Sequence, residues 1–207
     1  MEDMSTPQAL SKLSQVEAAL KKKSLMTTAE LESLGVSREY IRKLRNSGRI
    51  ARVSRGIYQL PDAEIESNHS IAEAAQLIPN GVVCLLSVLR YHQLTTQSPF
   101  EVWMAVESGA WLPRQDAVPV RIFRPRGPAF HEGIEHITIE GMPVRIYSLA
   151  KTVADCFKYR HKIGLDVALE ALRETLGNKV VAMDDLWHYA KVCRVTNVMR
   201  PYLEAIN

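Results

Sequence analysis

Basic side chains are concentrated in one short stretch of the sequence, between positions 38 and 55. This stretch holds a single acidic residue, Glu39. Guanidinium and ammonium groups neutralise phosphate, and arginine can also bind guanine through two hydrogen bonds in the major groove. We therefore expect the stretch to contact the backbone and the bases of DNA. Its basic residues are Arg38, Arg42, Lys43, Arg45, Arg49, Arg52 and Arg55.

The spacing of apolar residues places the first half of this stretch on an exposed helix. Ser37 can cap a helix that runs from residue 38 to about residue 47, with Ile41 and Leu44 facing inward. The opposite face then points outward, and steps of four and three place Arg38, Arg42 and Arg45 on it. Further contacts to phosphates or bases are expected from Ser37, Tyr40 and Asn46.

The neighbouring segments complete a compact motif. Helical spacing predicts a first helix over 8–22, and the sequence from Thr27 to Glu30 predicts a capping box at the start of a second. After residue 48 the pattern changes to a period of two, with a turn at 54–56 that indicates a β-hairpin. Arg52 and Arg55 lie beside the glycine of this turn, where they can contact the DNA backbone or the minor groove. Three helices and a hairpin predict a winged helix-turn-helix; the alternative is a solvated basic face that docks another protein.

Net charge divides the chain into two parts. The whole sequence has 207 residues and a formal charge of +3. Residues 1–60 hold 11 Lys and Arg against 6 Asp and Glu, a net of +5, so the remaining 147 residues carry a net of −2. With 46% hydrophobic and 24% charged residues, the composition is that of an ordinary globular protein, which argues against long disordered regions.

The second part of the sequence alternates between predicted helices and strands. Strands are expected over 100–106, 118–124, 134–139 and 144–147, and helices over 68–78, 82–93, 149–160, 165–176, 184–193 and 197–206. Asp166 and Asp184 are the expected N-caps of two of these helices. The predicted fold class is α+β. A winged helix-turn-helix over 1–61 precedes a mixed α/β domain over 62–207, with a small sheet at about 100–147 and a C-terminal helical bundle at about 149–206.

Two patterns resemble catalytic or metal-binding motifs without completing one. Ser148 and Lys151 match S-x-x-K, but the partner motifs are missing, and an N-cap explains Ser148 better. His131 and His136 are five positions apart, whereas a zinc-binding helix needs a spacing of four. The sequence has no Gly-rich phosphate loop and no dinucleotide fingerprint. We therefore expect no catalytic residue, no metal and no cofactor.

The cysteines and the hydropathy indicate a cytoplasmic protein. The cysteines are odd in number and widely spaced, which favours reduced core thiols over a disulfide or zinc framework. The N-terminus has acidic residues and no apolar segment, so no secretory signal is expected. The longest uncharged run, 74–89, contains a Pro-Asn-Gly turn, so no membrane helix is expected. The cysteines are Cys84, Cys156 and Cys193.

A second basic group lies among prolines in the second part of the chain. Its members are Arg114, Arg121, Arg124 and Arg126. Arg121 and Arg124 point to opposite faces of a strand, so the group forms one patch only if the chain bends at Pro125. Two interpretations stay open: a surface for RNA, DNA or a protein partner, or a solvated sheet edge protected by charge.

Several stretches, in this order along the chain, resemble one known family. They are MTTAELESLGVS at 26–37 with RGIY at 55–58, FEVWMAV at 100–106, IYSLAKTVADCF at 146–157 with KIGLDVALEALR at 162–173, and RPYL at 200–203. Together they resemble the AbiE-type antitoxins and transcriptional regulators of type IV toxin–antitoxin systems. In one departure, Leu149 and Lys151 stand where relatives often have proline and arginine.

The resemblance implies a protein with two functions. Its N-terminal winged helix would repress its own operon at inverted repeats in double-stranded DNA. Its C-terminal domain would neutralise a cognate nucleotidyltransferase-like toxin encoded alongside, without a stable complex. Two other hypotheses stay open: a regulator whose second domain binds a small effector and has no toxin partner, and an enzyme acting on nucleic acid or phosphate through Ser148 and Lys151 or the histidine pair.

Overall fold

The computed structural model describes residues 11–63, 67–110, 112 and 118–205 of the chain. The described residues divide into two compact units. The first contains the residues up to Ser67 together with Glu140–Met142, and the second contains the rest. Helices and strands occur in both units, so the predicted α+β class is confirmed.

The first unit combines helices with a three-stranded antiparallel sheet. Its helices are α1 (Lys12–Lys22), α2 (Thr28–Ser33) and α3 (Arg38–Asn46), and its strands are β1 (Met26–Thr27), β2 (Ala51–Ser54) and β3 (Ile57–Gln59). The strand order is β1-β3-β2, and both pairings are antiparallel. The predicted helices and hairpin are confirmed, although residues 8–10 of the first predicted helix lie outside the described part. Strand β1 was not predicted, because two residues show no period-two pattern.

Side-chain caps define where α2 and α3 begin. Thr27 Oγ1 accepts a hydrogen bond from the Glu30 amide at 3.2 Å, and Glu30 Oε2 accepts one from the Thr27 amide at 2.7 Å. This is the predicted capping box. Burial favours a raised pKa for Glu30, but hydrogen bonds from Lys23 and Thr27 outweigh it and lower that pKa. At α3, Ser37 Oγ accepts from the Tyr40 amide at 3.2 Å, as expected for an N-cap.

A small apolar core orients α3. Ile41 and Leu44 are 2% and 4% exposed and pack against residues of α1 and α2. Because these two residues face inward, the remaining faces of α3 are turned to solvent. The core of this unit contains Val16, Leu20, Met26, Leu31, Val36, Ile41, Leu44 and Ile50.

The second unit is built on a five-stranded mixed sheet. Its strands are β4 (Val82–Val83), β5 (Val102–Ala105), β6 (Val120–Phe123), β7 (Ile134–Ile139) and β8 (Met142–Tyr147), in the order β6-β5-β4-β8-β7. Strand β5 runs parallel to β6 and antiparallel to β4, and β4 runs parallel to β8. Its helices are α4 (His69–Leu77), α5 (Leu86–Tyr91), α6 (Pro128–His131), α7 (Leu149–Lys158), α8 (Arg160–Ile163), α9 (Leu165–Gly177), α10 (Met183–Val192) and α11 (Thr196–Glu204).

Two predictions for the second unit were wrong. The region 82–93 was expected to be one helix, but Val82 and Val83 form β4 and only the later residues form α5. A short buried strand cannot be distinguished from a buried helix by periodicity. Asp166 and Asp184 are not N-caps, because Gly164 and Ala182 occupy those positions. Both aspartates lie in the first helical turn, where a carboxylate still interacts favourably with the helix dipole.

Helix α7 is the central helix of the second unit. All its residues from Ala150 to Phe157 are buried, and α9 and α10 pack against it. The buried face includes two charged residues, Lys151 and Asp155. All the cysteines are buried thiols, as predicted. Among the described residues, no helix has the length and apolar character needed to cross a membrane.

Candidate nucleic-acid interface

The outward side of α3 presents basic side chains to solvent. Arg42, Lys43 and Arg45 are exposed, while Ile41 and Leu44 on the opposite side are buried. A shallow concavity runs along this side and is lined by Ser37, Glu39, Tyr40, Arg42, Lys43 and Asn46. The structure therefore brings several of the residues predicted to contact DNA together on one open surface, which we call the α3 face.

Two of the predicted arginines form ion pairs with carboxylates of the first unit. Arg38 Nε lies 2.7 Å from Glu32 Oε1, and Arg49 Nη2 lies 2.7 Å from Glu17 Oε1. The Arg38 side chain is 79% exposed, so its pair is screened by water and contributes little to stability. A hydrogen bond to Glu32 raises the pKa of the Arg38 guanidinium. Such pairs orient each arginine without removing it from solvent.

The hairpin of β2 and β3 carries the other two predicted arginines, Arg52 on β2 and Arg55 in the turn. Arg52 Nε donates to the Ser54 carbonyl at 3.0 Å, which fixes its side chain along the strand. Arg55 is exposed at the tip of the turn. Gly56 follows with φ +80°, a conformation that favours glycine, and a Cβ there would also lie 3.3 Å from Thr28 Oγ1. This tight turn therefore presents Arg55 to solvent.

Positive charge on this surface exceeds the acidic charge that accompanies it. Residues 38–55 carry seven basic side chains and one acidic side chain, a net of +6. Counting Glu17 and Glu32, which pair with two of the arginines, leaves +4. A surface with this excess attracts polyanions at a rate and affinity that fall as salt is added.

The second basic group is only partly brought together. Arg114 lies outside the described residues. Arg121 lies on β6, with its guanidinium carbon 4.9 Å from the Trp103 ring centroid and its Nε 3.4 Å from Glu101 Oε2. Arg124 and Arg126 instead line a cleft beyond the end of β6. The predicted patch of four arginines is therefore split, and only two of its described members share a site.

Neither chemical motif assembles a reactive group. Ser148 Oγ caps α7 by accepting from the Lys151 amide at 3.3 Å. The ammonium of Lys151 lies 2.5 Å from Asp155 Oδ2 and so is occupied by a carboxylate one turn further along. His131 Nε2 lies 3.6 Å from Glu107 Oε1, whereas His136 lies on β7. Within the described ranges, no group of three or more His, Cys, Asp or Glu side chains is arranged to hold a metal ion.

Comparison with known families finds a match for the first unit. Residues 14–61 match the family of transcriptional regulators described as AbiEi antitoxin. The resemblance expected from the sequence is confirmed over this AbiEi-type segment. The segment extends from α1 through β3, so it contains the whole α3 face and all the predicted DNA-contact residues between Ser37 and Arg55.

The fold of the chain is similar to that of one solved mycobacterial protein. The Rv2827c protein of Mycobacterium tuberculosis superposes with a TM-score of 0.53 over 91% of this chain and 78% of its own. The two sequences are 13% identical, so the similarity concerns the fold alone. A search of curated proteins finds no match to the sequence.

Sequence reasoning missed the acidic partners within the AbiEi-type segment. Glu17 lies 32 positions before Arg49, and no local pattern connects them. Glu32 lies six positions before Arg38, across the turn between α2 and α3. Only the composition could have indicated these partners. Acidic residues are few in this part of the chain, so those on α1 and α2 are the natural partners for nearby arginines.

Proposed function

We propose that the first unit is a winged helix-turn-helix that binds operator DNA and regulates transcription of its own operon. The α3 face would enter the major groove, and the β2–β3 turn would act as the wing. The exposed cationic α3 face, inside the segment that matches AbiEi-type regulators, is the observation that supports this function. Operators of such regulators are often inverted repeats, and the chain would bind each repeat with one α3 face.

The geometry suggests how the contacts are divided. Arg42, Lys43 and Arg45 on the α3 face would reach base edges and adjacent phosphates, with Ser37 and Tyr40 near the start of the helix. The remaining basic residues of the surface would contact the DNA backbone, which sets the register of the helix in the groove. An exposed Arg38 can exchange Glu32 for a phosphate, because both partners offer anionic oxygens. These backbone contacts are assigned to Arg38, Arg49, Arg52 and Arg55.

Binding to operator DNA is expected to depend strongly on salt. If about 4–6 phosphates are neutralised, a plot of log affinity against log salt concentration should have a slope of about −4 to −5. Fluorescence anisotropy with a labelled duplex from the chain's own promoter would measure it, with a scrambled duplex of equal length as the control. A slope near zero, or equal affinity for both duplexes at every salt concentration, would contradict the proposal.

We further propose that the second unit provides an antitoxin function. It would neutralise a nucleotidyltransferase-like toxin encoded beside it, without forming a stable complex. The similarity of the stretches at 146–157 and 162–173 to AbiE-type antitoxins supports this role. The division of charge is consistent with it, because the basic DNA-binding surface belongs to the first unit and the remainder of the sequence is slightly acidic.

Neutralisation is expected to survive loss of DNA binding. A chain carrying Arg42→Ala and Arg45→Ala should still rescue cells that express the cognate toxin, because both substitutions lie outside the second unit. Growth would be scored with both genes under separate inducible promoters, so that repression of the operon has no influence. Failure to rescue at the same protein level as wild type would contradict the division of functions.

A cleft in the second unit favours a second candidate function. It has a volume of about 690 Å³, which lies in the range of small-ligand sites. A regulator whose second unit binds a small effector would need such a site. A nucleotidyltransferase-like gene next to this one would favour the antitoxin function, and its absence would favour the effector.

A further inference from the structure

Five basic residues line one cleft in the second unit. They come from three separate places: the segment after β6, the last turn of α7, and the end of α10 with the short segment that follows it. All are exposed to solvent. They are Arg124, Arg126, Lys158, Lys191 and Arg194, and we call the site the cationic cleft.

The positive charge of the cationic cleft is not cancelled by its acidic lining. Glu132 Oε2 is hydrogen-bonded to His188 Nε2 at 2.9 Å, and Asp155 Oδ2 is paired with Lys151 Nζ at 2.5 Å. Each of these two acids therefore has a partner outside the cleft lining. Residues 61–207 carry a net charge of −2, so five basic side chains in one cleft are a local concentration of positive charge.

Helix dipoles account for only part of this arrangement. Lys158 and Lys191 lie in the last turns of α7 and α10, where cations favourably meet the negative end of the helix dipole. Arg124 is different, since its guanidinium donates to the carbonyls of Glu107 at 2.9 Å and Ala110 at 3.3 Å. A guanidinium fixed in this way is pre-organised and loses little freedom when an anion binds.

Arg194 also has an unusual backbone for its residue type. Its φ is +58°, in the left-handed region that follows many helices and that usually carries glycine or asparagine. Placing arginine there costs backbone energy, and such outliers concentrate at functional sites. A glycine at this position would lack the long basic side chain that Arg194 contributes to the cationic cleft.

The floor and wall of the cationic cleft fit a compact anion better than a nucleic-acid strand. Cys193 lies in the floor of the cleft, is 2% exposed, and donates a hydrogen bond from its thiol to Asp155 Oδ1 at 3.3 Å. Burial raises the pKa of Cys193 to about 12, so the thiol stays neutral. Strand-binding grooves use exposed aromatic rings on which bases stack. Tyr159, the aromatic residue of this lining, is instead half-buried and packed edge-on against Phe123 at 4.9 Å.

We propose that the cationic cleft binds the phosphate chain of a small oligophosphate the size of a nucleoside triphosphate. A single phosphate needs fewer cations than five, whereas a chain of phosphates presents acceptor oxygens in several directions, which suits basic side chains that converge from three elements. The volume of about 690 Å³ accommodates such a ligand. This proposal deepens the effector function of the second unit and rests on it, and it is independent of operator binding by the first unit.

The test uses the full chain, with ATP as the probe and inorganic tripolyphosphate as competitor. Isothermal titration calorimetry would measure ATP binding to wild type and to the variants Arg126→Glu and Lys158→Glu. Both replaced side chains are exposed, so the fold should be retained. Each reversal should weaken ATP binding by roughly tenfold or more, since a charged hydrogen bond is lost and repulsion replaces it. Arg173→Glu, the same charge reversal on the exposed side of α9, should bind ATP as wild type does.

Competition separates the phosphate chain from the rest of the nucleotide. Tripolyphosphate should displace ATP, and adenosine should not. The proposal is overturned if wild type does not bind ATP, if Arg126→Glu and Lys158→Glu bind it as well as Arg173→Glu does, or if adenosine competes while tripolyphosphate fails. It is also overturned if the two cleft variants keep ATP but lose a single-stranded oligonucleotide, because the occupant is then nucleic acid. Anisotropy on operator DNA, run in parallel, shows separately whether the first unit fails.

Discussion

Replacing Arg42 or Arg45 by alanine is expected to weaken binding to operator DNA by about 1–3 kcal/mol for each substitution, or roughly 5- to 150-fold in affinity. Both side chains are exposed on α3. Arg42 has no hydrogen bond or ion pair within the part of the chain that the structure describes, so its guanidinium is available to a base or a phosphate. Arg45 donates to Asn46 Oδ1 at 3.0 Å, an exposed contact that DNA can replace.

The comparison between specific and scrambled duplexes distinguishes the kinds of contact. A variant that loses a base contact should lose much of its preference for the operator, whereas Arg38→Ala should weaken both duplexes about equally and reduce the salt slope by about 1. Lys12→Ala removes a positive charge from α1 in the same unit and serves as the control. Unchanged binding by both α3 variants would show that another surface reads the operator. An equal loss with Lys12→Ala would show that charge alone, and not the α3 face, determines affinity.

The arrangement of α3 could be predicted because its signals are local. Ile41 and Leu44 repeat at helical spacing, and Ser37 precedes the helix as a cap, so the direction of the arginines follows from the period of 3.6 residues. The salt bridges that orient Arg38 and Arg49 could not be predicted in the same way. They join residues from different helices or segments, and their formation depends on how those elements pack.

Some features of the second unit could not be predicted, because they depend on residues that are distant in sequence. Val82 and Val83 form a strand because they pair with residues of β5 and β8, which no window of sequence around them contains. The cationic cleft has the same origin, since its side chains come from positions near 125, 158 and 192 and meet only in the folded unit. The sequence instead groups Arg124 and Arg126 of the cleft with Arg121, a neighbour in sequence whose side chain packs against Trp103.

The i,i+4 pair on α7 could have been found from the sequence. The S-x-x-K pattern, which is known from catalytic sites, pairs Lys151 with Ser148, three positions earlier. Asp155 lies four positions later on the same helical face, and opposite charges at this spacing attract. In the structure Asp155 pairs with the ammonium, and the centroid of the Tyr147 ring lies 4.2 Å from Lys151 Nζ.

Lys151→Met is expected to destabilise the second unit by about 3–5 kcal/mol, since removing one member of a buried pair leaves the other charge without compensation. Lys151 is fully buried and the Asp155 side chain is 5% exposed. Urea unfolding followed by tryptophan fluorescence would measure the loss. Trp103 and Trp187 belong to the second unit, and the sequence of the first unit contains no tryptophan, so the signal reports on the relevant unit.

Two further variants test whether the charge pair is the cause. Lys151→Arg keeps the positive charge beside Asp155, so we expect it to lose less stability than Lys151→Met. In the double variant Lys151→Met with Asp155→Leu, both charges are replaced by apolar groups, and such replacements are often neutral. The double variant should therefore recover most of the loss. If it is as unstable as the sum of its single variants, the two residues do not act as a pair.

The pH dependence provides an independent check with a defined sign. Burial raises the pKa of Asp155, while Lys151 opposes the rise. Without Lys151, the pKa of Asp155 in the folded chain should rise further, so the folded variant keeps its carboxyl protonated at a pH where the unfolded chain has released that proton. The window lies between the pKa of Asp155 in folded wild type and its higher pKa in the folded variant. Within it, the free energy of unfolding of the variant falls by about 1.4 kcal/mol per pH unit relative to that of wild type. The stability gap between wild type and Lys151→Met should therefore widen as pH rises through this window, and a gap that narrowed would mean that the ammonium of Lys151 does not stabilise the Asp155 carboxylate.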